Sequence, residues 1–215
     1  MTEKIGRAER TRRTRARMLD AARALFVERG YAGTSVEAVA AAAGVATPTI
    51  YFTFGSKRVL LKEVLDVSVA GDDSAVPTME RPWFAEALAE PDPAAQLRLQ
   101  VRAARRILER AAAVLEVVRA AAPADDEVAA LWRVNQEQRL TVQRRLAAAL
   151  AGKTRLRHDV DTAADILFAV LGPELFGVLT TTRGWSSARW EDWAVDSLAV
   201  QLLTSREERD DAPGR

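Results

Sequence analysis

The order Ala40, Gly44, Ile50 within TSVEAVAAAAGVATPTIYFTFGSK, residues 34–57, constrains this chain more than any other feature. Val36, Val39, Ala40 and Ala43 recur at helical spacing. Gly44 then supplies the left-handed conformation that ends a helix without steric penalty. Thr47 as N-cap and Pro48 in the first turn start a second, very short helix that reaches about residue 52. Two short helices joined by a tight glycine turn cross steeply, so the residue at their contact must be small. Ala40 meets that demand and Ile50 fills the angle, which is the mechanical requirement of a helix-turn-helix unit. Upstream, Thr34 and Glu37 read as a capping box. Downstream, Ser56 can cap a further helix with Leu60, Leu61, Val64 and Leu65 inside.

The charge is distributed unevenly around this unit. Residues 1–58 hold eleven Lys and Arg against five Asp and Glu, a net of +6, whereas the whole chain carries +1, leaving −5 for the remainder. A basic first quarter on an acidic body implies that one end meets a polyanion and the other does not, although arginines also solvate ordinary helix faces. The first helix shows Met18, Ala22, Leu25 and Phe26 on its apolar stripe and stops at Gly30. Its other face carries arginines, and those of RTRRTRAR before it read as a flexible basic arm able to reach phosphate or minor groove.

Beyond the break GDDSAVPTMERP, residues 71–82, the sequence is again helical. Helices are expected over about 83–89, 94–122, 126–150, 160–182 and 187–204. Leu97, Val101, Ala104, Ile107 or Leu108, Ala111 and Leu115 point inward on the long one. Asp125, Asp126 and Glu127 suit a helix N-terminus. Gly172 and Pro173 interrupt an otherwise continuous apolar helix and should kink it. The tail SREERDDAPGR is expected to be disordered.

Several function classes find no support. Cysteine is absent and His158 is the single histidine, so thiolate chemistry, disulfides and most metal sites are not expected. No phosphate-binding glycine loop or HExxH motif occurs, and no nucleophile, base and orienter assemble, so an enzyme and a cofactor are not expected. His158 reads as a surface residue. No run of about 18 apolar residues suited to a membrane span is read, nor an apolar leader, and the protein is expected in the cytoplasm.

The segment TPTIYFTFGSK, preceded by ARALFVERGYAGTSVEAVAAAAGV, resembles the TetR (tetracycline repressor) family over residues 12–70. Tyr51, Phe52, Phe54, Gly55, Ser56 and Lys57 occupy the family's aromatic, turn and Ser-Lys positions. Ala46 and Thr47 stand where a serine cap and a lysine are frequent, and Phe52 where histidine is. The resemblance implies an all-α fold, with an N-terminal three-helix helix-turn-helix DNA-binding domain over 12–72. A larger helical ligand-binding and dimerisation domain would follow over 73–206. It implies a homodimeric repressor on a pseudo-palindromic double-stranded operator, released by an unidentified small molecule.

Family roles then fall on matching positions. Thr47, Pro48, Thr49 and Phe52 would face base edges, while Ser35, Thr49, Tyr51 and Lys57 would hold phosphates. The apolar reading surface implies contact with thymine methyl groups more than with guanine. Phe52 and Phe54 are equally compatible with a place in the core. The last two helices would pack on their symmetry mates, an ordinary intramolecular core being the alternative. A ligand pocket would draw on Trp83, Phe84, Trp132, Asn135, Gln136, Gln138, Arg139, Phe168 and Glu174, apolar walls with a few polar groups. A constitutive DNA binder without inducer, and a helical adaptor with a protein partner, remain open.

Overall fold

A computed structural model describes residues 6–72 and 76–204; the expected disordered tail lies outside them. Ten α-helices are described: α1 (Arg7–Arg29), α2 (Val36–Ala43), α3 (Thr47–Phe54), α4 (Lys57–Ala70), α5 (Pro82–Ala89), α6 (Pro93–Ala121), α7 (Asp126–Ala151), α8 (Val160–Val170), α9 (Pro173–Gly177) and α10 (Ser187–Leu202). Among the described residues there is no strand, only an isolated bridge between Leu156 and Leu203. The expected all-α class is observed.

The chain forms two compact units. The first joins residues 1–72 to 113–132, the end of α6 and the start of α7, whereas the expected domains were consecutive stretches. The second takes the rest. In the first unit α1 packs on α2 and α4, and α2 on α3, around Met18, Ala22, Phe26, Val39, Ala40, Ile50, Leu60, Leu61 and Leu65. This is the core read from the sequence. One expectation fails here: α1 begins at Arg7, so residues 10–17 are helical and not an arm. Arg12 and Arg13 pair with Glu9 one turn back, and Arg15 pairs with the distant Glu63 at 2.5 Å, so the basic run has both local and tertiary partners that keep it helical.

In the second unit Leu97, Val101, Leu108, Ala147, Leu150, Leu167, Leu171, Phe176, Trp190, Leu198 and Leu202 share one core. The Gln96 side-chain amide donates to the Leu146 carbonyl at 3.0 Å and sets the antiparallel register of α6 and α7. The Lys153 ammonium donates to the carbonyls of Ala87 and Leu88 at the end of α5. The stretch Val160–Thr182 is long and apolar enough to cross a membrane by length and composition, contrary to the expectation above. It does not form one straight helix. After Val170 the chain restarts at Pro173 and ends in a π turn at Val178–Thr182, because proline lacks the N–H that would continue the ladder. Its residues Leu167, Leu171 and Phe176 are packed into the core instead.

Candidate nucleic-acid interface

α2 and α3 meet at 106° across a three-residue turn. Gly44 makes that turn in the left-handed region, φ 65° and ψ 41°, with its N–H returning to the carbonyls of Ala40 and Ala41. Ala40 and Ile50 are both buried at 1% exposure, as the crossing demands. Two caps differ from the sequence reading. Thr34 is buried and its hydroxyl donates to the carbonyls of Leu25 at 3.0 Å and Gly30 at 2.8 Å, closing the end of α1. The cap of α2 therefore passes to Ser35, whose Oγ accepts from the Ala38 N–H at 3.1 Å, and the Thr34–Glu37 capping box does not form. Likewise Ala46, not Thr47, is the N-cap of α3, without a side-chain bond, and Pro48 sits in the first turn. Ser56 caps α4 as expected.

α3 buries one face and shows the other. Ile50 and Phe54 lie four residues apart and face inward; Phe52, about 200° round the helix from Ile50, is 93% exposed. Phe54 belongs to the core, with the Arg15 guanidinium over its ring at 5.7 Å. Pro48 and Tyr51 are exposed, and Thr47 and Thr49 partly so. Ser35 is exposed at the start of α2, where the helix dipole favours an anion, and its hydroxyl proton remains available.

Lys57 is half-buried, its ammonium 4.2 Å from the centre of the Tyr31 ring. Burial pulls its pKa below the usual lysine value, and the Asp125 carboxylate pulls it partly back. Asp125 caps α7 through the N–H groups of Glu127 and Val128, and Arg58 pairs with Glu127. The α6–α7 tip thus brings two acidic groups to the cations that begin α4. Nothing in the local sequence signals this, because the partners are about 70 residues away.

Residues 18–64 match the family described as bacterial regulatory proteins, tetR family. That segment, spanning α2, α3 and most of α1 and α4, is the part of the chain that carries the tetR-family pattern. The protein is accordingly a DNA-binding transcriptional regulator. No curated protein matches. Among solved structures, NalD, the secondary repressor of the MexAB-OprM multidrug efflux pump of Pseudomonas aeruginosa, superposes with a TM-score of 0.68 at 22% identity, covering 92% of this chain and all 100% of that one. FadR of Bacillus subtilis, solved with stearoyl-CoA, gives 0.67 at 17%, covering 85% and 96%. The TetR-family regulator PfmR of Thermus thermophilus gives 0.61 at 22%, covering 85% and 95%. These likenesses are of fold.

The pocket residues expected from the resemblance fall into more than one group. Trp132 is half-buried in the first unit, whereas the others lie in the second. Trp83 and Phe84 meet edge to face at 5.6 Å in a small cluster with Ala87 and Leu146. Phe84 also lines an open groove of 730 Å³ with Met79, Leu88, Thr141, Arg144, Arg145, Ala148, Val160 and Asp161, none of which the sequence reading named. A separate group gathers around Arg139. Its guanidinium lies 4.4 Å over the Phe168 ring, donates to the Phe168 carbonyl at 3.3 Å and reaches Glu174 at 4.0 Å. Glu174 is 47% exposed, so it faces solvent beside the helix break. Asn135 and Gln136 are half-buried and Gln138 is exposed. Burial pulls the Arg139 pKa below the ordinary arginine value, with Glu174 opposing.

Proposed function

We propose that the protein is a homodimeric repressor that reads a pseudo-palindromic operator through α3 and is released by a small molecule held in the second unit. The observation that carries this reading is the outward face of α3. An isolated protein rarely leaves a phenylalanine 93% exposed beside Tyr51, Pro48 and Thr47 unless that face has a partner. A second helix that shows its N-terminal residues past a steep turn is the geometry that enters the major groove, while the preceding helix crosses the backbone. In this reading Thr47, Pro48, Thr49 and Phe52 face base edges, with Phe52 on thymine methyls, and Ser35, Thr49, Tyr51 and Lys57 meet phosphates.

Release by ligand draws its support from chain continuity. α6 begins and α7 ends in the second unit, while the end of α6, the start of α7 and their connecting tip belong to the first, where the tip touches the start of α4 through Arg58 and Glu127. A ligand that prefers the unbound geometry would shift the heads by its differential affinity, and operator would weaken the ligand by the same factor.

The test is binding to duplexes selected from a random pool, against scrambled duplex, across a salt series. Sequence-selective binding with a steep salt slope is expected, and Lys57→Ala should flatten that slope by about one unit per head while weakening all duplexes alike. Equal affinity for selected and scrambled duplex would refute operator reading and leave a helical adaptor.

A further inference from the structure

The second unit holds a set of buried polar atoms that the protein leaves without partners. They are both amide atoms of Gln100, Oδ1 of Asn135, Nη1 of Arg139, Oε1 of Gln143 and the indole N–H of Trp190. Gln100 is 2% exposed and Trp190 is fully buried. Buried polar groups are ordinarily paired, so each such atom in a native core asks for an explanation.

Those on α6 and α7 fall at matching levels of the two helices. Asn135, Arg139 and Gln143 repeat every fourth residue and form one stripe on α7. The Gln96–Leu146 bond fixes the α6–α7 register, so one turn onward on α6 Gln100 stands level with Gln143, and a further turn brings Ala104 level with Arg139. Arg105 pairs with Glu191, which brings Trp190 to the same level of α6. Gly172 closes the group from the α8–α9 break. A Cβ there would lie 3.0 Å from Arg139 Nη2 and 2.7 Å from Glu174 Oε2, so the glycine leaves room for the guanidinium.

Their chemistry is asymmetric. The amides and the indole can be satisfied by water, but a guanidinium cannot shed its proton, and water does not neutralise it. Glu174 stands at the outer limit of an ion pair, on the Nη2 side and half in solvent, leaving Nη1 unanswered. The Phe168 ring beneath the guanidinium and the Phe176–Trp190 edge-to-face pair at 5.0 Å supply flat apolar walls.

We infer that this cluster binds a small hydroxylated organic carboxylate, its carboxylate on Arg139 Nη1, its hydroxyl among Gln100, Asn135 and Gln143, and its apolar body against Phe168 and Trp190. The inference rests on the ligand-released reading above and gives it a ligand class. It also explains the lowered pKa of Arg139: the cation is buried ahead of the anion that would repay its desolvation.

The experiment uses the full chain with 4-hydroxybenzoate, salicylate and 3-phenyllactate as probes, each beside its carboxamide, and reads tryptophan emission and melting temperature. The wild type should bind at least one acid about tenfold or more tightly than its amide, because only the acid forms the charge-assisted pair. R139M should abolish that preference and, without ligand, melt no lower than the wild type. Acid and amide binding alike, silence from every acid at millimolar concentration, or a preference retained in R139M would overturn the inference. So would R139M melting well below the wild type, since that marks Arg139 as a structural ion-pair member. Selective DNA binding is measured on the same samples. Its persistence without any response to acids sinks this inference alone, and its loss in the wild type sinks the operator reading.

Discussion

Phe52 and Phe54 are two residues apart on a two-turn helix and have opposite fates. Phe54 is 5% exposed and packs inside; Phe52 is 93% exposed. Their alanine variants should therefore separate stability from recognition. Phe54→Ala should cost about 3–5 kcal/mol of folding stability, since it removes buried aromatic area and leaves a cavity. Phe52→Ala should change stability by less than about 0.5 kcal/mol and weaken the cognate duplex alone by about 1–3 kcal/mol. Denaturant melts and fluorescence anisotropy on the two proteins measure both quantities. Loss of stability in Phe52→Ala would show that its ring has a partner within the fold.

At the scale of the element, the α2–α3 unit depends on a backbone angle at one residue and a volume at another. A Cβ on Gly44 would meet nothing within 4 Å, so Gly44→Ala encounters only the left-handed φ of 65°. The expected cost is about 1–2 kcal/mol, with cognate binding retained once the protein is folded. Ala40 is buried in the crossing itself. Ala40→Leu should cost about 1–3 kcal/mol through overpacking and also abolish binding to every duplex, because α3 is pushed off its seat. Chemical denaturation paired with duplex titration distinguishes strain from displacement. Equal loss of binding in both variants would mean that the turn conformation, not the contact at Ala40, aims α3.

At the scale of the whole molecule, the last two apolar segments bear on assembly. Val178 and Val200 are 51% and 73% exposed on the last two apolar segments, and Ile166, Leu175, Leu179 and Val195 beside them are only partly covered. A two-fold partner packed on that face would place two reading heads on a palindrome. Light scattering should give twice the 23.5 kDa of one chain. Val200→Glu should move the mass toward one chain and weaken operator binding while each head stays folded by circular dichroism. A monomeric wild type at micromolar concentration would refute the dimer.

The sequence by itself determined the helical class, most helix boundaries outside the start of α1 and the 160–182 stretch, the break at Gly172–Pro173, the glycine turn and the small residue at the crossing. All of these are written in short-range terms: a 3.6-residue period, a residue able to take positive φ, a proline without an N–H. It did not determine which of Thr34 and Ser35 caps α2, because that choice turns on whether the Thr34 hydroxyl finds the Leu25 carbonyl nine residues back. The inward face of α3 was partly legible, since Ile50 and Phe54 share a spacing of four that excludes Phe52. The basic run at residues 10–17 was misread as an arm, because its helix is supported in part by Glu63, far along the chain. Only the tertiary structure brought Asp125 and Glu127 to Lys57 and Arg58, and only it left buried polar atoms of Gln100, Asn135, Arg139 and Gln143 without partners. Each of those residues looks ordinary on its own helix. Their meaning comes from what stands opposite, and that depends on the register and rotation at which helices pack, which no local pattern encodes.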